Sequence, residues 1–547
     1  MSDKIFRQPS VMNAQQHFSQ VPGVSVPRST FDRSHSYKTT FDAGKLIPFF
    51  WDEVLPGDTK HIKATTFGRL ATPLHPIMDN LYLDVHWFFV PARLTWENWQ
   101  KFMGERVNPT DNPNDYSIPQ GEVTLANIAP TSAASYFGLP YRAGITSPIS
   151  ISALPFRAYQ LIWNQWYRDE NLQPSIDVPL DDGPDDLTGF CAADSCLVRN
   201  KRKDYFTACL PWPQKGDEVL IPMGDSAPVS LTSNAGLQVG SIHSPPGDIL
   251  LEGSFGNPNP GYLKTGGSIP FTDTSVLFDG NMTTAQFAAA GATADLSVAT
   301  AVSINDLRLA IAIQQMLERD ARGGTRYIEM IFSQFGVQSD DARLQRPEYL
   351  GGSTDMININ PVAATATSTS VPQANLAAIG TAVSNSGFTK SFTEHGFLIG
   401  IASVRADLTY QQGVERAWFR QTRNDHYFPV FAHLGEQAVL NREIFTTAGS
   451  TDDDVFGYQE RFAEYRYKPS RITGLMASEQ SGSLDVWHLS QEFGSMPSLN
   501  SSFITENPPI DRVIAVPSEP HFICDIWIDY KDTRPMPVYS VPGLERL

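Results

Sequence analysis

Cysteine is scarce in this chain: Cys191, Cys196, Cys209 and Cys524 are the only four in 547 residues. So few thiols exclude a disulfide-stapled secreted scaffold and point to a reducing compartment such as bacterial cytoplasm. Cys191 and Cys196 have four residues between them, which is not the close pairing of a zinc ribbon, so buried thiols without a metal are expected. Long apolar runs are missing too. No stretch approaches the roughly 20 residues of a membrane span, and the opening MSDKIFRQPS has no apolar signal core. Neither membrane insertion nor signal-peptide export is expected. Basic charge is in short supply: 41 Lys and Arg stand against 59 Asp and Glu, a net of −18. Such a chain repels phosphate on average, so nucleic-acid contact must be local or go through a basic partner. Phosphate loops, dinucleotide fingerprints, nucleophile elbows and zinc-protease helices are all absent. No catalytic residue, metal or cofactor is expected.

What the chain has in quantity is turn formers and apolar residues. Pro (40) and Gly (39) are spread throughout, hydrophobic residues make up 41%, and only 18% are charged. That mixture favours a mainly β protein with short strands joined by long irregular loops. Leu81, Leu83, Val85, Trp87 and Phe89 alternate with Tyr82, Asp84, His86 and Phe88, which predicts a half-buried strand ending at Pro91. Gly396 to Tyr410 reads as a long buried strand, and Leu484 to Leu489 as a short one. His521 to Tyr530 is predicted to turn Phe522, Cys524, Ile526 and Ile528 inward. Helices are predicted at Leu94 to Met103, at about Ser152 to Arg168 with Phe156, Tyr159, Trp163 and Trp166 on one face, and after Ser303. In the last, Ser303 and Asp306 form a capping pattern, Leu309, Ile313, Met316 and Leu317 an apolar stripe, and Gly323–Gly324 a stop.

Composition also divides the chain. Residues 1–45 are polar and carry Lys4, Arg7, Arg28, Arg33, Lys38 and Lys45 against Asp3, Asp32 and Asp42, and they read as an extended arm. Residues 216–303 are rich in small and polar residues with Lys264 the only basic one. They read as an insertion containing small hairpins at Val219 to Pro222 and Asp248 to Gly253, between core parts 46–215 and 304–547.

Six stretches in order along the chain then carry a resemblance. They are RSTFDRSHSYKTTFDAGKLIPFFWDEVLPGDT (28–59), WFFVPARLTWENWQKFMGE (87–105), NKRKDYFTACLPWPQKG (200–216), GTRYIEMIFSQFGVQSDDARLQRPEYLGG (324–352), HLGEQAVLNREIF (433–445) and FGYQERFAEYRYKPSRITG (456–474). Together they resemble the major capsid protein of the Microviridae, gokushovirus-like branch, over nearly the whole chain except 216–303. The resemblance implies an eight-stranded antiparallel jelly roll with long helical loops. It implies self-assembly into an icosahedral virion capsid around circular single-stranded DNA, with a small basic DNA-binding virion protein as a partner. On this reading the arm lies on the inner surface, and the insertion is an outer protrusion that meets a host-cell receptor. A lectin-like or carbohydrate-active jelly roll is the alternative, but the carboxylate pair a glycosidase needs is not identifiable.

Candidate sites follow from charge and aromatics. Lys4, Arg7, Arg28 and Arg33 in the arm are candidates to face DNA. Arg199, Lys201, Arg202 and Lys203, the densest basic cluster, fit either genome phosphates or carboxylates across a subunit interface. Arg461, Tyr465, Arg466, Tyr467, Lys468 and Arg471 could stack bases, but Tyr and Arg are favoured interface anchors, and a latch between subunits is preferred. The acid–histidine neighbours Glu394–His395 and Asp425–His426 and the run Asp452–Asp454 are expected to be structural. So is the acidic turn around Gly183–Pro184, where a weak surface cation site is the alternative.

Overall fold

The structure, a computed structural model, describes residues 27–105, 112–217, 304–322, 345–366 and 372–539. It also describes positions 108, 219 and 333 and short strands at 6–7, 20–21, 229–231, 238–239, 248–252, 262–264 and 292–294. The chain divides into two compact units, residues 1–215 with 318–547, and residues 216–317.

The larger unit is mainly β and antiparallel. Its strands are β1 (Ser29–Asp32), β2 (His35–Phe41), β3 (Ile47–Val54), β4 (Thr59–Leu70) and β5 (Leu81–Pro91) in the first part. In the second part they are β6 (Glu348–Met356), β7 (Asn358–Ala363), β8 (Leu376–Ser391), β9 (Gly396–Ala406) and β10 (Phe522–Arg534). A four-stranded sheet has the order β6-β5-β9-β3. A six-stranded sheet runs β7-β8-β4-β10, with β1 and β2 both on the free edge of β10. The two sheets enclose the main core. Phe49, Val85, Trp87 and Leu398 come from the smaller sheet; Ile62, Phe522, Ile526 and Ile528 come from the larger. Trp87 is wholly buried, meets Phe49 and Phe50 edge-on at 5.2 and 5.3 Å, and donates from Nε1 to the Ser386 hydroxyl at 3.1 Å.

Strand β10 follows the predicted alternation, with Phe522, Cys524, Ile526 and Ile528 all buried. Strand β5 does not stay half-buried. Asp84, Phe88 and Val90 are buried as well, because the chain lays a second layer over the smaller sheet. That layer is the helix α1 (Leu154–Ile162), whose Phe156, Tyr159 and Ile162 pack with Phe88, Val90, Ile399 and Ile401. Helix α1 continues as a π turn, Trp163–Tyr167. The wider turn carries Trp166 off the apolar face, and it is 38% exposed.

Other predictions needed correction. Leu94 to Met103 is not one helix. A 3₁₀ turn at Ala92–Leu94 ends where the Thr95 hydroxyl bonds the Ala92 carbonyl, and a single α turn follows at Trp99–Phe102. Leu484 to Leu489 is not a strand. It holds a 3₁₀ turn at Asp485–Trp487, with Trp487 stacked on His75 at 5.0 Å and the Leu489 amide tied to Asp79. All four cysteines are free and buried.

In the smaller unit the described strand Asp248–Glu252 pairs antiparallel with Tyr262–Lys264, while the hairpin predicted around Val219 to Pro222 falls almost wholly outside the described residues. The helix α2 spans Ile304–Arg322, as the pattern predicts. Of its apolar stripe, Leu309 and Met316 are exposed. No helix among the described residues is long and apolar enough to cross a membrane.

Candidate assembly surfaces

The basic residues singled out in the sequence divide by how they spend their hydrogen bonds. Lys4 lies outside the described residues, and of Arg7 only its backbone place in a two-residue strand is described. Arg28 is exposed and donates to the Gly57 carbonyl. Arg33 sits in an ionic cluster joining the two sheets. Its guanidinium grips Asp52 through two nitrogens at 2.6 and 3.0 Å, reaches Asp532 at 3.1 Å and lies over the Tyr530 ring. Wholly buried Lys60 bonds Asp52 at 2.9 Å and Asp532 at 3.0 Å, and Arg534 reaches Asp532 at 2.6 Å. Burial raises the Asp52 carboxyl, but the Arg33 bond, the Lys60 charge and the Tyr530 hydroxyl outweigh it and bring it to about 2.

The 199–203 cluster is similarly occupied. Arg199 bonds Asp84 at 2.5 Å and the Ser403 hydroxyl at 2.7 Å, while Arg405 bonds the same Asp84 oxygen at 3.0 Å. Buried Lys201 donates to Gln491 at 2.8 Å and to the Phe503 carbonyl, and burial lowers its ammonium to about 8. Lys203 pairs with Asp169. Arg202 alone is exposed with no ion pair among the described residues. The sequence could not give this division, because Asp84, Asp169 and Phe503 lie far off along the chain.

The 461–471 run belongs to a shelf of loops over its own small core of Tyr205, Phe206, Tyr410, Val439, Phe456 and Phe503. Two ribbons frame it: Glu436–Leu440 antiparallel to Val455–Glu460, and Thr409–Tyr410 parallel to Ser470–Arg471. Gly413 is required here, since a Cβ would sit 2.0 Å from the Glu443 carbonyl oxygen. Three of the run's four cations are paired with carboxylates of the same chain. Lys468 and Arg471 both bond Glu415, at 3.1 and 2.8 Å, and hold its carboxyl below the usual range. Arg466 pairs with Glu460, and Arg461 lies over the Phe462 ring. Arg420 bonds Glu464 at 3.1 Å and covers the Tyr465 ring at 4.3 Å. Glu415, Glu464 and Arg420 were missed because nothing local marks them. What remains outward is aromatic and apolar: Tyr465 and Tyr467 are half-exposed, and Trp418 and Val430 are 77% and 86% exposed. Ringed by satisfied ion pairs, these residues have the composition of an interface centre and rim.

The acidic candidates are structural. Asp425 accepts from the Thr422 and Gln421 amides, and Glu394 pairs with Arg93 while His395 packs on Trp99. Asp452 accepts from both threonines 446 and 447 and from the Ala448 amide, bonds that bring its carboxyl to about 2. Asp185 is bonded twice by buried Arg157, at 2.8 and 2.5 Å, and Asp182 takes the Trp96 indole. No group that could hold a metal occurs among the described residues.

Most of the cations singled out in the sequence are thus paired within the subunit, and the loop shelf keeps Trp418, Val430, Tyr465 and Tyr467 outward. Comparison with known proteins decides the matter: the model of the capsid protein (F protein) family matches residues 19–544. The chain belongs to that family. Capsid protein VP1 of Bdellovibrio phage phiMH2K is 46% identical to it over 97% of this chain and 98% of its own length. VP1 of Chlamydia phage 1 is 44% identical over 98% and 99%, and VP1 of Spiroplasma virus 4 is 36% identical over 98% and 99%. The protein is thus a structural capsid subunit of the Microviridae, gokushovirus type, part of the virion and not an enzyme. The carbohydrate-active alternative falls away.

Proposed function

We propose that this capsid subunit is an eight-stranded jelly roll that closes, with copies of itself, into an icosahedral shell around circular single-stranded DNA. The sheet orders carry the reading. Taking β1 with β2 as one interrupted strand and β7 as an added ribbon leaves eight strands in two four-stranded sheets. These are β2-β10-β4-β8 and β3-β9-β5-β6; successive strands change sheet except at β5–β6, a pattern that suits a viral coat jelly roll. The apolar shelf around Trp418, Tyr465 and Tyr467 supplies subunit contacts, and closed symmetry lets one sequence make every contact in the shell.

Residues 29–41 are strands of the larger sheet and not part of an extended arm. On this reading the shorter segment before β1 lies inside, and even the net of +3 over residues 1–45 cannot balance a genome with one negative charge per nucleotide. A small basic virion protein supplies the rest, and Lys4, Arg7, Arg28 and Arg202 are the chain's own remaining candidates for phosphate contact. Arg33, Arg199 and Lys201 are committed to the fold and Lys203 to Asp169. The 216–303 segment, with one basic residue, suits the outer surface and contact with a host-cell receptor. Assembly takes place in the host bacterial cytoplasm. Electron microscopy of the purified full-length chain tests the central claim: uniform spherical particles containing nuclease-protected single-stranded DNA are expected. Small soluble oligomers under all salt and pH conditions would overturn it.

A further inference from the structure

We propose that the open outer face of the larger sheet is a stacking platform for the packaged single strand, with Phe67 and Trp527 holding bases and Arg69 and Lys63 holding phosphates. This rests on the reading that the shell encloses single-stranded DNA.

Alternation along β4 sends Lys63, Thr65, Phe67 and Arg69 to the side opposite buried Ile62, Ala64, Thr66 and Leu70. Alternation along β10 does the same for Ile523, Asp525, Trp527 and Asp529. The register sets Phe67 opposite Asp525 and Trp527 opposite Thr65. Phe67 and Trp527 are therefore diagonal neighbours on one face, roughly 7–8 Å apart. Their rings are 44% and 52% exposed, and neither has a ring or cation partner among the described residues. A solvated sheet face has no folding reason to carry two large aromatics, whereas such pairs on a sheet are how single-stranded nucleic acid is stacked.

The charges around them favour the same occupant. Arg69 and Lys63 are exposed and make no ion pair among the described residues, though Asp529 lies opposite Lys63 in register. Asp525 is engaged by Lys38 at 2.8 Å, and Asp529 accepts from the Ser34 hydroxyl at 3.4 Å. With Lys531 and Asp32 counted, the face carries four cations and three carboxylates, a local surplus in a chain of net −18. Beside Phe67 the sheet meets the segment from Pro130 to the helical turn Ala133–Tyr136, and an open cleft of about 800 Å³ lies between them, lined by Lys38, Phe67, Arg69 and Tyr136 among others. It is large enough for a nucleotide. Exposed Val383 lies opposite Phe67, and exposed Ile523 opposite Arg69. Thr65 and Asp525 nevertheless stand between the two rings and charges flank them, which suits a strand read by stacking and backbone charge without sequence preference.

Full-length subunits released from particles, titrated with a short oligo(dT) strand, test the proposal. Phe67→Ala and Trp527→Ala are each expected to weaken binding on the order of tenfold, with Phe67→Trp restoring it and the melting temperature unchanged. The double variant Lys63→Gln/Arg69→Gln is expected to flatten the salt dependence by about 0.7 per cation removed. Particles of the aromatic variants should hold less nuclease-protected DNA. Full oligo(dT) affinity in both alanine variants, while wild-type particles still protect DNA, would overturn this inference and leave the proposed function standing. Wild-type particles that protect no DNA would overturn that function and this inference with it. Failure of the alanine variants to assemble even without DNA would assign the face to a subunit contact and likewise overturn it.

Discussion

The two sheets of the sandwich share one core yet treat their outer faces oppositely. Every residue of β9, in the smaller sheet, is buried, because α1 and the loops from residues 92 to 198 lie over it. Strands β4 and β10, in the larger sheet, alternate buried and accessible positions to their ends. A sheet covered on both sides reads as a continuous apolar run, and one covered on a single side reads as alternation. Helix α1 covers the smaller sheet, and the outer face of the larger sheet keeps accessible side chains at alternate positions. The contrast also separates two kinds of tryptophan: Trp87 between the sheets and Trp527 on the open face.

Substitution of those two tryptophans gives the widest expected gap. Trp87→Ala empties a site with no exposure and should cost about 3–5 kcal/mol. Trp527→Ala should change stability by less than about 0.5 kcal/mol, as is usual for surface positions. Chemical denaturation of the full chain, read as the shift in midpoint, checks both. Equal shifts would mean that the open face is packed against something. Lys60→Met belongs with Trp87: removing the buried cation leaves Asp52, Asp58 and Asp532 with only Arg33 and Arg534 at the cluster's edge as counter-charge, at a cost of about 3–5 kcal/mol.

The covered face can be tested with pH. His86 lies under the second layer, with Nδ1 2.7 Å from the Tyr167 hydroxyl. Burial lowers its pKa, and with Arg199 and Arg405 outweighs the pull of Asp84, from 6.5 to about 4. The folded state thus prefers neutral imidazole, and the unfolded chain binds more protons between those values. Stability is fully present above about 6.5 and is lost as pH falls toward 4, by about 3 kcal/mol at most. His86→Gln keeps a hydrogen-bonding side chain but cannot titrate, so its melting temperature should fall less than wild type between pH 7 and pH 4.5. Parallel slopes would show that His86 is already charged or exposed in the fold.

How much of this was legible in the sequence depended on whether the determining partner was local. The alternation from His521 to Tyr530 needed only a period of two, and β10 followed it. The same reasoning made β5 half-buried, because Asp84 and His86 look solvent-facing until α1 and Arg199 arrive from far along the chain. LDVWHL has strand-like alternation but no strand beside it, and Trp487 found His75 instead. The arginine–tyrosine run was visible as a site. Its neutralisation by Glu415 and Glu464 was not, since one of these lies about 50 residues upstream and the other looks like any surface acid. The 199–203 cluster read as one basic patch; only its partners reveal that three of its four cations are spoken for.

A smaller effect is expected on the loop shelf, in association and not in folding. Trp418→Ala and Tyr467→Ala remove exposed rings that contact nothing essential in the isolated subunit, so melting should be nearly unchanged. If the shelf is an interface centre, each should weaken assembly by about 2 kcal/mol, seen as an order-of-magnitude or larger rise in the protein concentration needed for particles in light scattering. Unchanged assembly in both variants would remove the shelf from the subunit contacts.

The smallest effect returns to β10, whose two faces carry the same kind of ion pair in opposite surroundings. On the inner side, Lys60 and Asp532 meet at 3.0 Å with both side chains buried. On the outer side, Lys38 and Asp525 meet at 2.8 Å with side chains 69% and 51% exposed. Distance alone would rate the outer pair as the better one. Solvent reverses that order, because water screens the outer charges and the long lysine side chain gives up rotamer freedom to hold the contact. Lys38→Gln should therefore cost at most about 1 kcal/mol, and the loss should shrink further in high salt as screening shortens. The check is a pair of denaturation midpoints at low and high salt for wild type and variant. A cost of several kcal/mol that persists in salt would mean that Lys38 and Asp525 are shielded from water, and that the face is not open in the folded subunit.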